Sequence, residues 1–423
     1  MSTGPHILSR RAVLAGLAAS CAVGPVVSGR AAETAVGPVF SPTGPKAEFY
    51  GAAENYPIRD PALGFVPGNP LQPKYRVGAF SHTDELFSTR RVVRAATPWS
   101  FKRGPAEVSE PMRGRVADYL SRNPVTGLLI AKDDQILFEH YQYGCTDRDR
   151  LISQSMAKSI TGLLAGLAIA DGAIKSVDDT AEIYVPGLKG TEYGATPIRA
   201  LLHMSSGVDF GEERDNGRDL DRLWIDMVRG TGSKGTVASI AQFNRRIAPA
   251  GTQFYYASIE SDVIGLVVRH AVGKSLSDYL HEKIWEPIGA EADASWLIDA
   301  QGFEVAHHAF NAVLRDYARL GRLLAQDGVW NGKTIIPASY LMDATTTRPS
   351  DAYLAPGRTS PTSLGYGYLI WLLPGTRRQF TPIGFLGQRI LVDPASKLVM
   401  VQTAVENTDE VGRLWADVVR QFG

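Results

Sequence analysis

Leu151 to Ile160 reads LISQSMAKSI, and within it Ser155 and Lys158 stand three residues apart at the head of a long apolar run. A Ser-x-x-Lys match is expected roughly once by chance in a chain of this length, so the tetrapeptide needs support from the rest of the sequence. Its context supplies a geometry. The stretch LISQSMAKSITGLLAGLAIADGAI repeats apolar residues every three or four positions, which reads as a helix stopped at Asp171-Gly172. Residues three apart on a helix share a face, with Cβ atoms about 5 to 6 Å apart, so the Lys158 amine would stand beside the Ser155 hydroxyl. A serine hydroxyl alone is a weak nucleophile and needs a neighbouring base to take its proton. The unpaired N–H groups of a helix start also favour the negative charge that such an attack develops.

Outward from this helix, the residues 128–131 (LLIA), the turn Lys132-Asp133-Asp134 and the run from Gln135 to Tyr143 read as a β-hairpin. From Val177 to about Thr347 the segments read as mostly helical. Strands return at Gln379 to Phe385, Gln388 to Val392 and Leu398 to Ala404, closed by an amphipathic helix from Asp409 to Phe422. Strands at both ends with helices between them predict an α+β fold: an antiparallel sheet flanked by helices and built from both termini, with a helical subdomain inserted at about 177–347. This domain is expected to span 116–423. Residues 33–115, rich in Pro and Gly, read as an extended N-terminal arm wrapped over it.

The first 32 residues are of another kind. Ser9-Arg10-Arg11 precedes the apolar run AVLAGLAASCAVGPVV and a set of small residues, the pattern of a twin-arginine export signal, which predicts a periplasmic or secreted protein. Cys21 lies inside that signal in a setting close to a lipoprotein box, so membrane attachment is expected only if Cys21 is lipidated. Cys145 is then the one cysteine left, and no intramolecular disulfide can form. In the whole chain 44 Lys and Arg balance 44 Asp and Glu, with no long run of like charge, so neither nucleic acid nor an anionic membrane surface is an expected partner.

A second element follows in Pro249-Ala250-Gly251-Thr252-Gln253-Phe254-Tyr255-Tyr256-Ala257-Ser258, which leads into the helical run SDVIGLVVRHAVG. Together, Ser155-Met156-Ala157-Lys158 and Tyr256-Ala257-Ser258 resemble the serine β-lactamase, penicillin-binding protein and carboxylesterase superfamily, in which Ser-x-x-Lys is joined by Tyr-x-Asn or Tyr-x-Ser. The flanking Leu201-Leu202-His203-Met204-Ser205-Ser206-Gly207 and Glu286-Pro287-Ile288-Gly289 are similar to its signatures too. The resemblance covers about residues 116 to 423. It implies a β-lactamase/transpeptidase-like fold, Ser155 as nucleophile, and Lys158 and Tyr256 sharing the base role, the order of proton transfer left open. Tyr255 competes with Tyr256, but only Tyr256 has the Phe-x-Tyr-x-Ser spacing. Ser258 is expected to contact substrate.

The third motif of the superfamily, Lys-Thr-Gly or His-x-Gly on a strand lining the site, corresponds here to Gly384-Phe385-Leu386-Gly387-Gln388. Phe385 and Leu386 replace the cationic and hydroxyl side chains, and with Gly387 they are expected to line the substrate site. The N–H groups of Gln388 and Ser155 remain available as an oxyanion hole. Arg389, beside the motif, or an arginine of the N-terminal arm is the candidate for a substitute cation. The apolar motif and the arm look more like esterases and 6-aminohexanoate-dimer-hydrolase-like members than like true β-lactamases. A serine hydrolase acting on a small-molecule ester or linear amide is therefore expected. The alternatives are a D-Ala-D-Ala peptidase or β-lactamase, or a catalytically degenerate peptidoglycan-binding protein.

No cofactor or metal is expected. Gly328 to Thr334 is one residue short of a phosphate loop and reads as a turn, His281-Glu282 has Trp285 where a zinc helix needs histidine, and His307-His308 has no partner at ligand spacing. A Gly-x-Ser-x-Gly elbow is missing, against an α/β-hydrolase fold.

Overall fold

The run 128–131 carries no polar residue because its strand is covered on both faces. Leu129 and Ala131 pack into the core that holds Met156, Ile160 and Leu163, whereas Leu128 and Ile130 join Met112, Val116, Leu414 and Trp415 on the other side. Alternation of side chains along a strand sends neighbours to opposite layers, and here both layers are helical. The chain, seen as a computed structural model, is described at residues 38, 40–56, 71–103, 110–212, 218–228, 233–346 and 364–423. The export signal expected at 1–32, with Cys21, lies outside these residues, as do parts of the arm.

In spatial order the main sheet runs Gly365–Tyr366, Trp371–Leu372, Phe380–Thr381, Gln388–Asp393, Leu398–Ala404, Val125–Lys132, Gln135–Tyr141 and Lys102–Arg103, with Ile383–Gly384 also paired to Gln388–Asp393. Every pairing is antiparallel except that of Lys102–Arg103 with Gln135–Tyr141. The terminal helices Glu110–Arg122 and Val411–Phe422 cover one face and the helix Met156–Ala170 lies against the other. This is the α+β, β-lactamase/transpeptidase-like fold read from the sequence. The boundary drawn at residue 116 falls inside the helix Glu110–Arg122.

Two stretches depart from the sequence reading. Leu151–Ile152 does not begin the helix: it pairs with Phe310–Ala312, which pairs with Ala294–Leu297 and through it with Thr89–Val92. The mostly helical middle segment thus contributes two strands to a second, four-stranded sheet. The cause is a long-range pairing: Ser153 N–H donates to Phe310 O at 2.7 Å and Ser153 Oγ accepts from Phe310 N–H at 3.1 Å, holding the chain extended up to the helix. The arm supplies the edge strand Thr89–Val92, and its Trp99 N–H donates to Gly289 O at 2.9 Å, so the Glu286-to-Gly289 signature serves as its dock.

The helix Met156–Ala170 is buried from Met156 through Ala168. Its two internal glycines permit close packing; a Cβ on Gly166 would enter the Tyr340 ring. Its hydroxyls are satisfied, Ser159 Oγ donating to Leu369 O at 2.6 Å. The residues Gly328 to Thr334 form a tight hairpin in which Asn331 and Gly332 both have positive φ (48° and 82°), the geometry of a two-residue turn. Cys145 is buried, which pushes its thiol up to about 12. No helix among the described residues is long and apolar enough to cross a membrane.

Candidate active site

Ser155 is the cap residue of the helix Met156–Ala170, and the Lys158 Nζ donates to its Oγ at 2.7 Å. The lysine side chain is almost wholly buried, at 1% exposure, and its second partner is the main-chain carbonyl of His307 at 3.2 Å. Ser155 itself is half-buried, in contrast to the lysine beside it. Immediately before it, Gln154 adopts the left-handed conformation (φ 48°), which a non-glycine residue holds only when its surroundings enforce it. The enforcement is visible: Ser153 is tied to Phe310 on one side, and Met156 and Ala157 donate to the carbonyls of Ser153 and Gln154 on the other. The turn from strand to helix therefore sets Ser155 at the helix N-terminus, with the N–H groups of Met156, Ala157 and Lys158 already donating to the carbonyls of Ser153, Gln154 and Ser155.

Tyr256 comes to the same place from the loop before the helix Ser258–Val272. Its ring centroid is 5.0 Å from Lys158 Nζ, and the ring stacks on Trp371 at 5.5 Å with Tyr366 edge-on at 6.2 Å. Burial holds the Tyr366 phenol well above its ordinary range, so Tyr366 is a neutral wall behind Tyr256. Tyr255 points elsewhere. It is 47% exposed, and its hydroxyl accepts from Glu212 N–H at 3.3 Å.

Two residues expected to contact substrate, Ser258 and Leu386, are buried. Ser258 is buried, and its Oγ and N–H both go to the Glu212 carboxylate, at 2.6 and 2.7 Å. It fastens the start of the helix after Tyr256. Leu386 is also buried, within the core cluster, because Phe385-Leu386-Gly387 is not a strand but a three-residue turn between Ile383–Gly384 and Gln388–Asp393. Phe385 is 42% exposed and is the side chain of that turn that meets solvent. Arg389 lies toward Tyr119, a member of the cluster on the far face of the sheet, and burial lowers its basicity.

The turn is nevertheless held against the nucleophile. Gly384 packs so closely on the segment before Ser155 that a Cβ there would collide with Ser153 O. The Gln388 side chain donates to Phe385 O and Leu386 O, both at 3.1 Å, and exchanges hydrogen bonds with the Ala404 backbone. Gln402 Nε2 holds Gly387 O at 2.9 Å. Gln402, Glu212 and the Asp262–His307 pair, and the side-chain role of Gln388, were not found from the sequence; Gln402 meets Gly387, Glu212 meets Ser258 and Asp262 meets His307 across 15 or more residues, and no spacing rule exposes that. Among the described residues no group of three or more His, Cys, Asp or Glu side chains could hold a metal ion.

Comparison with known proteins places this geometry. The 6-aminohexanoate-dimer hydrolase of Paenarthrobacter ureafaciens is 27% identical over 337 residues, covering 77% of this chain and 84% of the relative. A Bacillus anthracis protein provisionally named a 6-aminohexanoate-dimer hydrolase superposes with a TM-score of 0.73 at 23% identity, over 86% of this chain and 97% of its own. EstCE1, described as a hydrolase with promiscuous acyltransferase activity, has a TM-score of 0.57 at 17% identity, over 74% of this chain and 97% of its own, a likeness of fold. The sequence profile of the family described as Beta-lactamase matches residues 113–420, and the chain belongs to that family, within the penicillin-binding-protein-like serine hydrolase superfamily.

Proposed function

We propose that this chain is a serine hydrolase that cleaves an ester or small linear amide through an acyl-enzyme on Ser155. The observation that carries the reading is the 2.7 Å hydrogen bond from the buried Lys158 amine to Ser155 Oγ. Ser155 Oγ attacks the substrate carbonyl carbon and its proton passes to the Lys158 and Tyr256 pair. The oxyanion forms at the helix start, against the N–H groups of Ser155 and Gln388. Collapse breaks the bond to the leaving group, which takes a proton from the same pair. Water then attacks the acyl-enzyme by the reverse route and frees the acid.

Substrate choice follows from the turn. A β-lactam or a D-Ala-D-Ala terminus brings a carboxylate, and burying one without a cation or hydroxyl partner costs several kcal/mol. The residues 385–387 offer neither, and Arg389 lies toward the far face. A short uncharged ester or amide is free of that cost; the name of the Paenarthrobacter relative supports a linear amide bond, although a dimer of an amino acid keeps a terminal carboxylate of its own. Short p-nitrophenyl esters are therefore expected to show kcat/KM at least about 10²-fold above nitrocefin, the ratio that roughly 3 kcal/mol of differential transition-state binding produces. Equal or better turnover of nitrocefin would contradict the assignment. We further propose export by the twin-arginine route, tested by changing Arg10 and Arg11 to lysine; normal delivery of that variant would refute it.

A further inference from the structure

Lys158 has two hydrogen-bond partners, and only one of them is the nucleophile. The other, His307 O at 3.2 Å, belongs to a residue whose backbone is gripped by a fully buried carboxylate. Asp262 Oδ1 accepts from His307 N–H at 3.2 Å, and Oδ2 accepts from the ring Nδ1–H at 2.7 Å. The preceding carbonyl, Ala306 O, accepts from Thr161 Oγ1 at 3.0 Å. Thr161 sits three residues beyond Lys158 on the nucleophile's helix, and Asp262 lies on the helix Ser258–Val272 that follows Tyr256. Residues 306 and 307 are thus clamped between the two helices that deliver the reacting groups.

We propose that Asp262 and His307 are positioning residues for Lys158: the Asp262 carboxylate fixes the His307 backbone, and its carbonyl holds the amine on Ser155. A four-carbon side chain with one hydrogen bond has several rotamers open to it, and a second, rigid acceptor selects the one that faces the hydroxyl. A bidentate carboxylate is suited to the task because it constrains both the peptide plane and the ring of the same residue. The alternative use of a buried Asp-His pair, direct proton transfer to the nucleophile, would need the ring Nε2 at Ser155 Oγ; here Ser155 Oγ is bonded to Lys158 Nζ, which meets the His307 carbonyl and not its ring.

The inference rests on Ser155 being the nucleophile, and the test separates the two. The rate of labelling by a fluorophosphonate and the turnover of p-nitrophenyl acetate are measured for the wild type and for His307→Ala, Asp262→Ala and His307→Asn, each checked for native circular dichroism. His307→Ala and Asp262→Ala are expected to lose about 10- to 10²-fold in labelling rate and in kcat, with KM held within about threefold, the size of effect an ångström-scale misplacement produces. His307→Asn, which keeps a donor at the Nδ1 position, should restore most of that rate. If Asp262→Ala does not fold, the two His307 variants decide. Wild-type labelling rates in His307→Ala, or equal losses in His307→Asn and His307→Ala, would overturn the proposal. A wild type that takes no label would instead refute the hydrolase reading beneath it.

Discussion

The helix start at Ser155 and the turn Phe385-Leu386-Gly387 abut one another at Ser153 and Gln154, yet they are built on opposite terms. At the helix start the proposed chemistry belongs to side chains: Ser155 Oγ, Lys158 Nζ three residues on, and the Tyr256 ring beside them. At the turn one side chain is buried in the core and one lies at the surface, and it is the backbone that two glutamines hold in place. The difference explains why one motif keeps its residue types while the other is rewritten. On the proposed mechanism the nucleophile and its base must be side chains, whereas a backbone N–H is supplied by any residue that lets the turn close.

That contrast is broken or sharpened by substitution on each side. The largest effects belong to the helix start: Lys158→Ala and Tyr256→Phe should each lower kcat for a p-nitrophenyl ester by about 10² to 10⁴, the usual range for a general base. A mild Tyr256→Phe beside a crippled Tyr255→Phe would assign the role to the wrong ring. At the turn the effect should depend on backbone and not on side-chain chemistry. Gly384→Ala, whose Cβ would collide with Ser153 O, should cost about 10- to 10²-fold in kcat, while Phe385→Ala should alter kcat for p-nitrophenyl acetate by less than about threefold. A Phe385→Ala variant as damaged as Gly384→Ala would show that the turn works through its side chain after all.

The smallest effect is on stability. Glu260, four residues after Tyr256, is fully buried; desolvation pushes its carboxyl up to about 8, while Ser206 Oγ donates to it at 2.7 Å. A carboxyl whose folded value is raised contributes stability below its unfolded value near 4.5 and loses it as pH rises through the folded one. Glu260→Gln removes this dependence, so its Tm relative to the wild type should climb by about 1 to 3 °C between pH 5 and pH 8. Thermal melts at the two pH values check it; a gap that shrinks with pH would contradict a neutral Glu260.

Much of the frame was legible because it rests on periodicity. The hairpin of Val125–Lys132 with Gln135–Tyr141, the C-terminal strands and the helix after Ser155 all show their faces in the sequence. Leu151–Ile152 and Phe310–Ala312 were not legible: strands of two and three residues carry no repeat, and Ile152 pairs with Asn311, far along the chain. The same holds within the site. Ser155 and Lys158 are linked by one helical turn and Tyr256 by a recognisable lead, but Asp262 finds His307 and Glu212 finds Ser258 only after the helices have packed. The apolar third motif was visible as a departure; its burial of Leu386 in a turn was not, because positive φ at Leu386 (60°) leaves no mark in residue type.

The central claim is that Ser155 is the nucleophile, and mass spectrometry of the protein after reaction with a fluorophosphonate tests it most directly. The account predicts a single adduct per chain, located on the peptide that contains Ser155, and its loss in a Ser155→Ala variant with an unchanged fold. An unmodified wild-type chain, or an adduct on any other residue, would contradict it.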